Sequence, residues 1–254
     1  MSTTLGVEAV STRGHGVVLF VVRVVRDMSV SFTAGSLLSI AVSHLPLTFA
    51  EKPQPGYHFL VESQDGPPSW DCTETISVAI NFGTLSKDKA RSAGSDLIAS
   101  MNELEHRSAF RFDVVGTTES IPMRSWGFDY VRGKPFAKLV IFFGKENQSD
   151  LFEKGSAAMG GAFYSKVGGN QRFFAGYMLV DTNDLDDYAP GVGYRSRQAL
   201  FTHELLHVLG LGHSADVDSV LQPKISMSSG TLGRSDQQGL DELSSLGCGT
   251  TTDQ

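Results

Sequence analysis

Three histidines and a glutamate between residues 203 and 213 have the spacing of a metal site. His203 and His207 lie four residues apart, so on a helix both imidazoles project from one face, one turn apart. Two imidazole nitrogens in that arrangement can bind the same Zn²⁺ ion at about 2.0–2.1 Å. Glu204 follows the first histidine, where its carboxylate can reach a water molecule on the metal instead of the metal itself. These residue types predict metal-assisted hydrolysis by a zinc-activated water, with Glu204 as general base.

Gly210 and His213 extend the pattern beyond the helix. Gly210 can adopt a positive φ at no steric cost, so the helix can end there and the chain can turn. The turn brings His213 back as a third ligand and leaves the fourth coordination position open for water, as a catalytic zinc site requires. One alternative is a buried amphipathic helix whose histidines are satisfied by hydrogen bonds. A structural zinc site, the other alternative, needs a fourth protein ligand, and no cysteine or fourth histidine is well placed.

The sequence HELLHVLGLGH at residues 203–213 matches the HExxHxxGxxH zinc motif of the metzincin metalloendopeptidases at every fixed position. Its context resembles the matrixin-like branch, and within it the compact secreted actinobacterial type. Residues 70–72 resemble the start of that catalytic domain, and residues 236–240 resemble the start of its closing helix. The resemblance implies an α+β fold, with a mixed, mostly parallel twisted sheet and covering helices. It also implies one catalytic Zn²⁺, with Glu204 as the base and three ligands: His203, His207 and His213.

The function that this resemblance implies is zinc-dependent cleavage of internal peptide bonds in protein or peptide substrates. An extended substrate should pair with an edge strand of the sheet, which we place at Gly161, Ala162 and Phe163. The alternative is a catalytically weak, metzincin-like secreted binding module. Loss of Glu204 or of a ligand would indicate that alternative, and none of them is lost.

Metzincins place a methionine in a tight turn beneath the three histidines, and two residues here are candidates for that position. Leu221 lies eight residues after His213 and has matrixin spacing, with Pro223 two residues further on. Met227 has the expected side chain but lies fourteen residues after His213. We favour Leu221, because leucine and methionine have similar volumes and the role is packing rather than ligation. Met227 stays the alternative.

Further metal sites are less well supported. The acidic loop at residues 181–187 could bind Ca²⁺ through carboxylate oxygens, but it lacks EF-hand spacing, so a solvated loop is favoured. Vertebrate matrixins hold additional structural zinc with histidines before the active-site helix. None of the four remaining histidines lies in that region, so no structural zinc is expected; they are His15, His44, His58 and His106.

The first fifty residues predict a targeting segment. Residues 28–50 contain no Lys, Arg, Asp or Glu, and Thr48 and Ala50 are the small residues that signal-peptidase cleavage after position 50 would need. We therefore expect residues 1–50 to be a signal peptide and the protein to be secreted. An uncleaved membrane anchor with the catalytic domain outside is the alternative. Residues 51–69, rich in Pro and Gly, indicate a linker or short pro-segment, and residues 70–254 indicate the catalytic domain.

Export would also determine whether the two cysteines, Cys72 and Cys248, are oxidised. In an oxidising compartment these residues, near the two ends of the domain, should form a disulfide; two free buried thiols are the alternative. A cysteine that could cap the zinc from a pro-segment is lacking, so latency through a thiolate is not expected.

Composition excludes several other classes of protein. Hydrophobic residues make up 41% of the 254 residues, which excludes a disordered chain. The net charge is −7, and no run of Lys or Arg is present to neutralise phosphates, so a nucleic-acid partner is not expected. We expect a monomer.

Periodicity predicts the elements that must position the motif. Ile76, Val78 and Ile80 alternate with polar or small residues, as in a half-buried strand. Apolar residues at helical spacing predict a helix over residues 87–106, and Ser235 with Gln238 predicts a capping box at the start of the last helix. Further strands are predicted near residues 112–114, 139–143, 160–164 and 173–181, and a helix at 196–209, with a Gly168-Gly169 turn between the last two strands.

Overall fold

The structure, a computed structural model, describes residues 54–63, 65–125, 137–167, 170–193, 195–223 and 231–248, together with the backbone of two short strands nearer the N-terminus. These two strands, β1 (Glu8–Val10) and β2 (Leu19–Val21), pair antiparallel. The apolar run at residues 28–50 and the Gly168-Gly169 turn lie outside the described residues. Within the described ranges, no helix has both the length and the apolar character needed to cross a bilayer.

Five strands form the central sheet in the spatial order β4-β3-β5-β7-β6. Neighbours among β4, β3, β5 and β7 are parallel, and β6 runs antiparallel to β7 at one edge. The predicted mixed, mostly parallel sheet is thereby confirmed. The strand bounds are β3 (Ile76–Asn81), β4 (Phe112–Thr117), β5 (Leu139–Gly144), β6 (Ala158–Val167) and β7 (Asn170–Asp181).

The interior strands are covered on both faces. Every residue of β5 is buried, as its continuous apolar sequence predicts for a central parallel strand. Strand β3 follows the predicted alternation except at one position: Ile76, Val78 and Ile80 are buried and Ser77 and Asn81 are half-buried. Ala79, on the same face as Ser77 and Asn81, is fully buried, so the centre of this strand is covered on both faces.

Three α-helices lie within the described ranges, and the first two pack against each other. Helix α1 (Lys87–Arg107) begins after Ser86, whose hydroxyl accepts a hydrogen bond from the amide of Lys89. Helix α2 (Arg197–Leu209) begins after Ser196, which caps the amide of Ala199 in the same way. All thirteen residues of α2 are buried. The helix therefore lies in the core, between α1 and the edge of the sheet that contains β6.

The last helix, α3 (Arg234–Cys248), begins differently from its prediction. Ser235 lies inside the helix and is 3% exposed, so it is not the capping residue. The amide of Gly233 instead donates to the carboxylate of Asp236, three residues later. Gly233 leaves no space for a side chain, since a Cβ there would lie 2.4 Å from the carbonyl oxygen of Asp218.

Residues near the two ends of the α+β domain meet. Cys72 and Cys248 are joined by a disulfide with a Cα–Cα distance of 5.2 Å, across a sequence separation of 176 residues. Trp70, which is 2% exposed, donates a hydrogen bond from its indole nitrogen to the carbonyl oxygen of Val208 in α2. The start of the domain is thus anchored to both the last helix and the histidine-bearing helix.

Candidate active site

Helix α2 presents His203 and His207 on one face, with their ring centroids 4.6 Å apart. Nδ1 of His203 lies 2.7 Å from the carbonyl oxygen of Val220, and Nδ1 of His207 lies 2.7 Å from that of Leu211. A carbonyl oxygen can only accept a hydrogen bond, so each Nδ1 must carry the proton. In the neutral ring the lone pair is then on Nε2. The two Nε2 atoms lie 3.0 Å from each other.

Gly210 ends the helix and returns the chain to the histidines. Its φ of 117° is in the left-handed region, and its amide donates to the carbonyl oxygens of Leu206 and His207. After this turn, the ring of His213 lies 5.3 Å from that of His203 and 4.9 Å from that of His207, measured between centroids. The predicted turn therefore brings the third imidazole to the other two. One nitrogen from each ring lies within 4.8 Å of the others.

Burial keeps these imidazoles neutral. It lowers the pKa of His203 to about 4, and with repulsion from His203 it lowers the pKa of His213 to about 4 as well. The pKa of His207 is also held well below its usual value, by burial and then by its two histidine neighbours. Neutral imidazoles are the form that binds metal ions.

The three side chains fit a zinc ion. Two nitrogen lone pairs facing each other at 3.0 Å repel, and a shared cation removes that repulsion. Three imidazole nitrogens suit zinc, and the bonds from Nδ1 to backbone carbonyls are the usual way in which protein structure orients such ligands. Within the described ranges, no cysteine, carboxylate or further histidine joins this cluster. Three protein ligands match a catalytic rather than a structural zinc site.

Glu204 lies buried between α2 and the edge strand, with 5% of its surface exposed. Burial raises the pKa of its carboxyl group to about 8, and a hydrogen bond from the amide of Gly160 opposes that shift. Gly160 is in β6, and a Cβ at this position would lie 2.1 Å from the carbonyl oxygen of Glu204. The close approach of strand and helix therefore requires glycine.

The three residues predicted as the substrate edge are all in β6. In the described part of the chain, this strand pairs with β7 and with no other strand, so one of its sides is open. Gly161 lies opposite Tyr177, and a Cβ there would come within 2.7 Å of the phenol oxygen. Phe163 is 7% exposed and packs against Tyr177 at 5.7 Å between centroids. Ala162, which precedes it in the strand, is half-buried against the main core.

Leu221 lies in a turn directly after Val220 and is 1% exposed. Its carbonyl oxygen accepts from the amide of Ser214, the residue after His213, and its own amide donates to the hydroxyl of Ser219. The turn is thus tied to the histidine segment at two points, through Val220 and Leu221. Met227, the alternative, lies outside the described residues.

A buried carboxylate that the motif does not include holds this turn in place. Asp236 of α3 is 1% exposed. One of its oxygens accepts from the hydroxyl of Ser219 at 2.5 Å, and the other accepts from the amides of Val220 and Gly233 at 2.8 Å each. In the sequence, Asp236 indicates only the start of a helix, and no local pattern predicts its contact with this turn.

The acidic loop shows contacts of its own. Asp181, 3% exposed, accepts from the amide of Asn183, and Asp186 pairs with Lys89 at 2.6 Å. The pKa of Asp184 is raised by burial and by the carboxylates of its neighbours. These contacts give no evidence for calcium, and the solvated loop stays a prediction.

Comparison with known families supports the same interpretation of the motif. The family model described as Matrixin, of the M10 peptidases, matches residues 95–245, which is more than half of the chain. A search of curated proteins gives no match. The matched region contains β4 to β7, the complete histidine cluster and most of α3. This chain belongs to the matrixin family of zinc-dependent metalloendopeptidases.

Proposed function

We propose that His203, His207 and His213 bind one zinc ion and that Glu204 is the general base for hydrolysis of internal peptide bonds. One observation carries the proposal. Both histidines of α2 are fixed through Nδ1, so their Nε2 atoms meet 3.0 Å apart, with His213 beside them and the Glu204 carboxyl buried next to the first histidine.

The role of Glu204 follows from its surroundings. Zinc, when bound, would polarise the scissile carbonyl and lower the pKa of water, so that the water can lose a proton and attack near neutral pH. Glu204 accepts the proton from the attacking water and passes it to the amine that leaves. The bond from the Gly160 amide holds one carboxyl oxygen in place. Burial alone favours the protonated acid, and a neighbouring cation favours the carboxylate, so a bound metal would keep Glu204 in the form that a general base needs.

The substrate in this proposal is an extended peptide that pairs with the open side of β6 along Gly161, Ala162 and Phe163. Two features support this placement. The strand is at the edge of the sheet, and its Gly160 amide already contacts the base, so a peptide on this edge lies beside Glu204.

We also propose that Leu221 is the apolar residue beneath the histidines, with Met227 as the alternative. Its burial and its two hydrogen-bonded neighbours, Ser214 and Ser219, support this role.

For the rest of the protein, we propose a secreted monomer whose leader, residues 1–50, is removed. A membrane-anchored protease is the alternative.

The test measures zinc and peptide cleavage on the same purified protein. We expect about one zinc per chain, cleavage of internal bonds in a peptide library, loss of cleavage on treatment with a chelator and its recovery when zinc is restored. Zinc without any cleavage would favour a binding module. Protein purified without zinc, and unable to take it up, would contradict the proposed site.

A further inference from the structure

Residues 54–61, here called the N-terminal strap, pair with the segment that carries His213. The amide of Leu60 donates to the carbonyl oxygen of Gly210 at 2.7 Å, and the amide of Gly212 donates to that of His58 at 2.8 Å. Between them, Phe59 and Leu211 face each other as an antiparallel pair. The strap belongs to the stretch that its composition predicts as a linker, yet it forms a short ladder with the metal motif.

The ladder continues on the other side of His213. The amide of Ala215 donates to the carbonyl oxygen of Gln54 at 2.9 Å. The amide of Gly56 donates to the carboxylate of Asp216 at 3.1 Å. Hydrogen bonds to the strap therefore lie both before and after the third histidine, so this segment cannot shift without breaking them.

The strap also reaches the second histidine. The carbonyl oxygen of Leu211 accepts from Nδ1 of His207, and the strap bonds the residues on either side of Leu211. A Cβ on Gly212 would lie 3.3 Å from the carbonyl oxygen of Phe59, so the two segments are in close contact. Two of the three imidazoles thus depend on the strap, His213 through its own segment and His207 through its acceptor.

We propose that the N-terminal strap is a positioning element of the metal site, which raises zinc affinity by fixing the His213 segment and the Leu211 carbonyl. The inference rests on the proposed function. Val61 is the one fully buried residue of the strap, and Phe59 is half-buried against the core. The other strap residues are held mainly through backbone hydrogen bonds, so we expect its release to loosen the site without unfolding the domain. Glu62, Ser63 and Asp65, which follow it, are exposed. Cleavage at these exposed residues would release the strap from the rest of the chain. Removal of the leader must therefore end before residue 54 if the protein is to keep its full affinity for zinc.

The test compares Leu60→Pro with Leu60→Ala in the full-length protein. Proline removes the amide that donates to Gly210, and alanine keeps that amide while removing the same side chain. Zinc affinity is measured by competition with a chromophoric chelator, and amide hydrogen exchange at Gly212 is followed in the metal-free protein. We expect Leu60→Pro to bind zinc about tenfold more weakly than Leu60→Ala, as for other groups that orient metal ligands, and to exchange faster at Gly212.

A second pair decides the matter if Leu60→Pro does not fold. Asp216→Ala removes the acceptor of the Gly56 amide, and Asp218→Ala removes an exposed carboxylate in the same loop as a control. We expect Asp216→Ala to weaken zinc binding about threefold relative to Asp218→Ala. Equal affinity within both pairs, in a protein that binds zinc, would overturn the role of the strap and leave the proposed function standing. Lack of zinc in the unmodified protein would overturn both.

Discussion

Nδ1 of His203 donates a hydrogen bond to the carbonyl oxygen of Val220, 2.7 Å away. This bond links the first proposed zinc ligand to a turn that lies seventeen residues later in the chain. Leu221, the next residue, is 1% exposed, so the packing of its side chain and the backbone that orients the imidazole are coupled.

We predict that Leu221→Ala lowers the free energy of unfolding by about 2–5 kcal/mol, because it leaves a cavity in the core. The same variant should bind zinc more weakly, since Val220 loses its support. Leu221→Met should be nearly neutral, because it conserves volume. Urea denaturation and zinc titration measure both effects. If Met227→Ala loses zinc and Leu221→Ala is tolerated, the position belongs to Met227.

Asp236 should be needed for the same turn. Asp236→Ala leaves the hydroxyl of Ser219 and the amide of Val220 buried without an acceptor, and we expect it to cost about 2–4 kcal/mol in unfolding free energy. Zinc affinity should fall with it. Asp241→Asn, an exposed change on the same helix, is the control and should alter neither quantity. Normal zinc affinity in a folded Asp236→Ala protein would show that the turn does not depend on this carboxylate.

The disulfide should form in an oxidising compartment and stabilise the protein. We expect mass spectrometry without reductant to find neither Cys72 nor Cys248 alkylated. Because the bond closes a loop of 176 residues, the Cys72→Ser/Cys248→Ser protein should lose up to about 5 kcal/mol of unfolding free energy. Two thiols that react before reduction would contradict the disulfide.

The metal-free protein should be most stable near pH 6.5. Below that pH, the unfolded chain binds protons at His203 and His213, whose pKa burial lowers from 6.5 to about 4, so stability falls as the pH falls. Above it, the unfolded chain has lost the proton of Glu204, whose pKa burial raises from 4.5 to about 8, so stability falls as the pH rises. His207, whose pKa is also lowered, contributes in the same direction, so between pH 4.5 and 6.5 the histidines outweigh the single glutamate.

Urea denaturation with a chelator present, from pH 4 to pH 8, measures this profile. Glu204→Gln has no proton to lose, so its stability should not decline between pH 6.5 and pH 8, where that of the unmodified protein declines. The same decline in both proteins would show that another group causes it.

The parts of the site that could be predicted from sequence are the local ones. His203 and His207 are related by the helical repeat, and Gly210 and His213 by a turn of a few residues, so residue type and spacing determine their geometry. The sheet could be predicted because the apolar run of β5 permits little but a central strand. Family membership followed from the same short motif.

The remaining contacts depend on long-range packing that a single sequence does not encode in any local pattern. Gly160 contacts Glu204 from a different element, and Asp236 reaches Val220 from the last helix. A glycine at position 160 is compatible with close approach of another element, but the sequence does not show that this element is the helix with Glu204. The Pro- and Gly-rich composition of residues 51–69 indicated a linker. The strap within it could not be predicted, because its hydrogen bonds come from the backbone and leave no side-chain pattern.

Glu204→Gln tests the central claim most directly, because it removes the base without removing a proposed ligand. Zinc content and the rate of peptide cleavage are measured on one preparation, with His203→Ala as a control that should lose both. We predict that Glu204→Gln retains one zinc per chain while cleavage falls by about 10²–10⁴-fold. Cleavage at the rate of the unmodified protein, with zinc bound, would contradict the assignment of Glu204 as the general base.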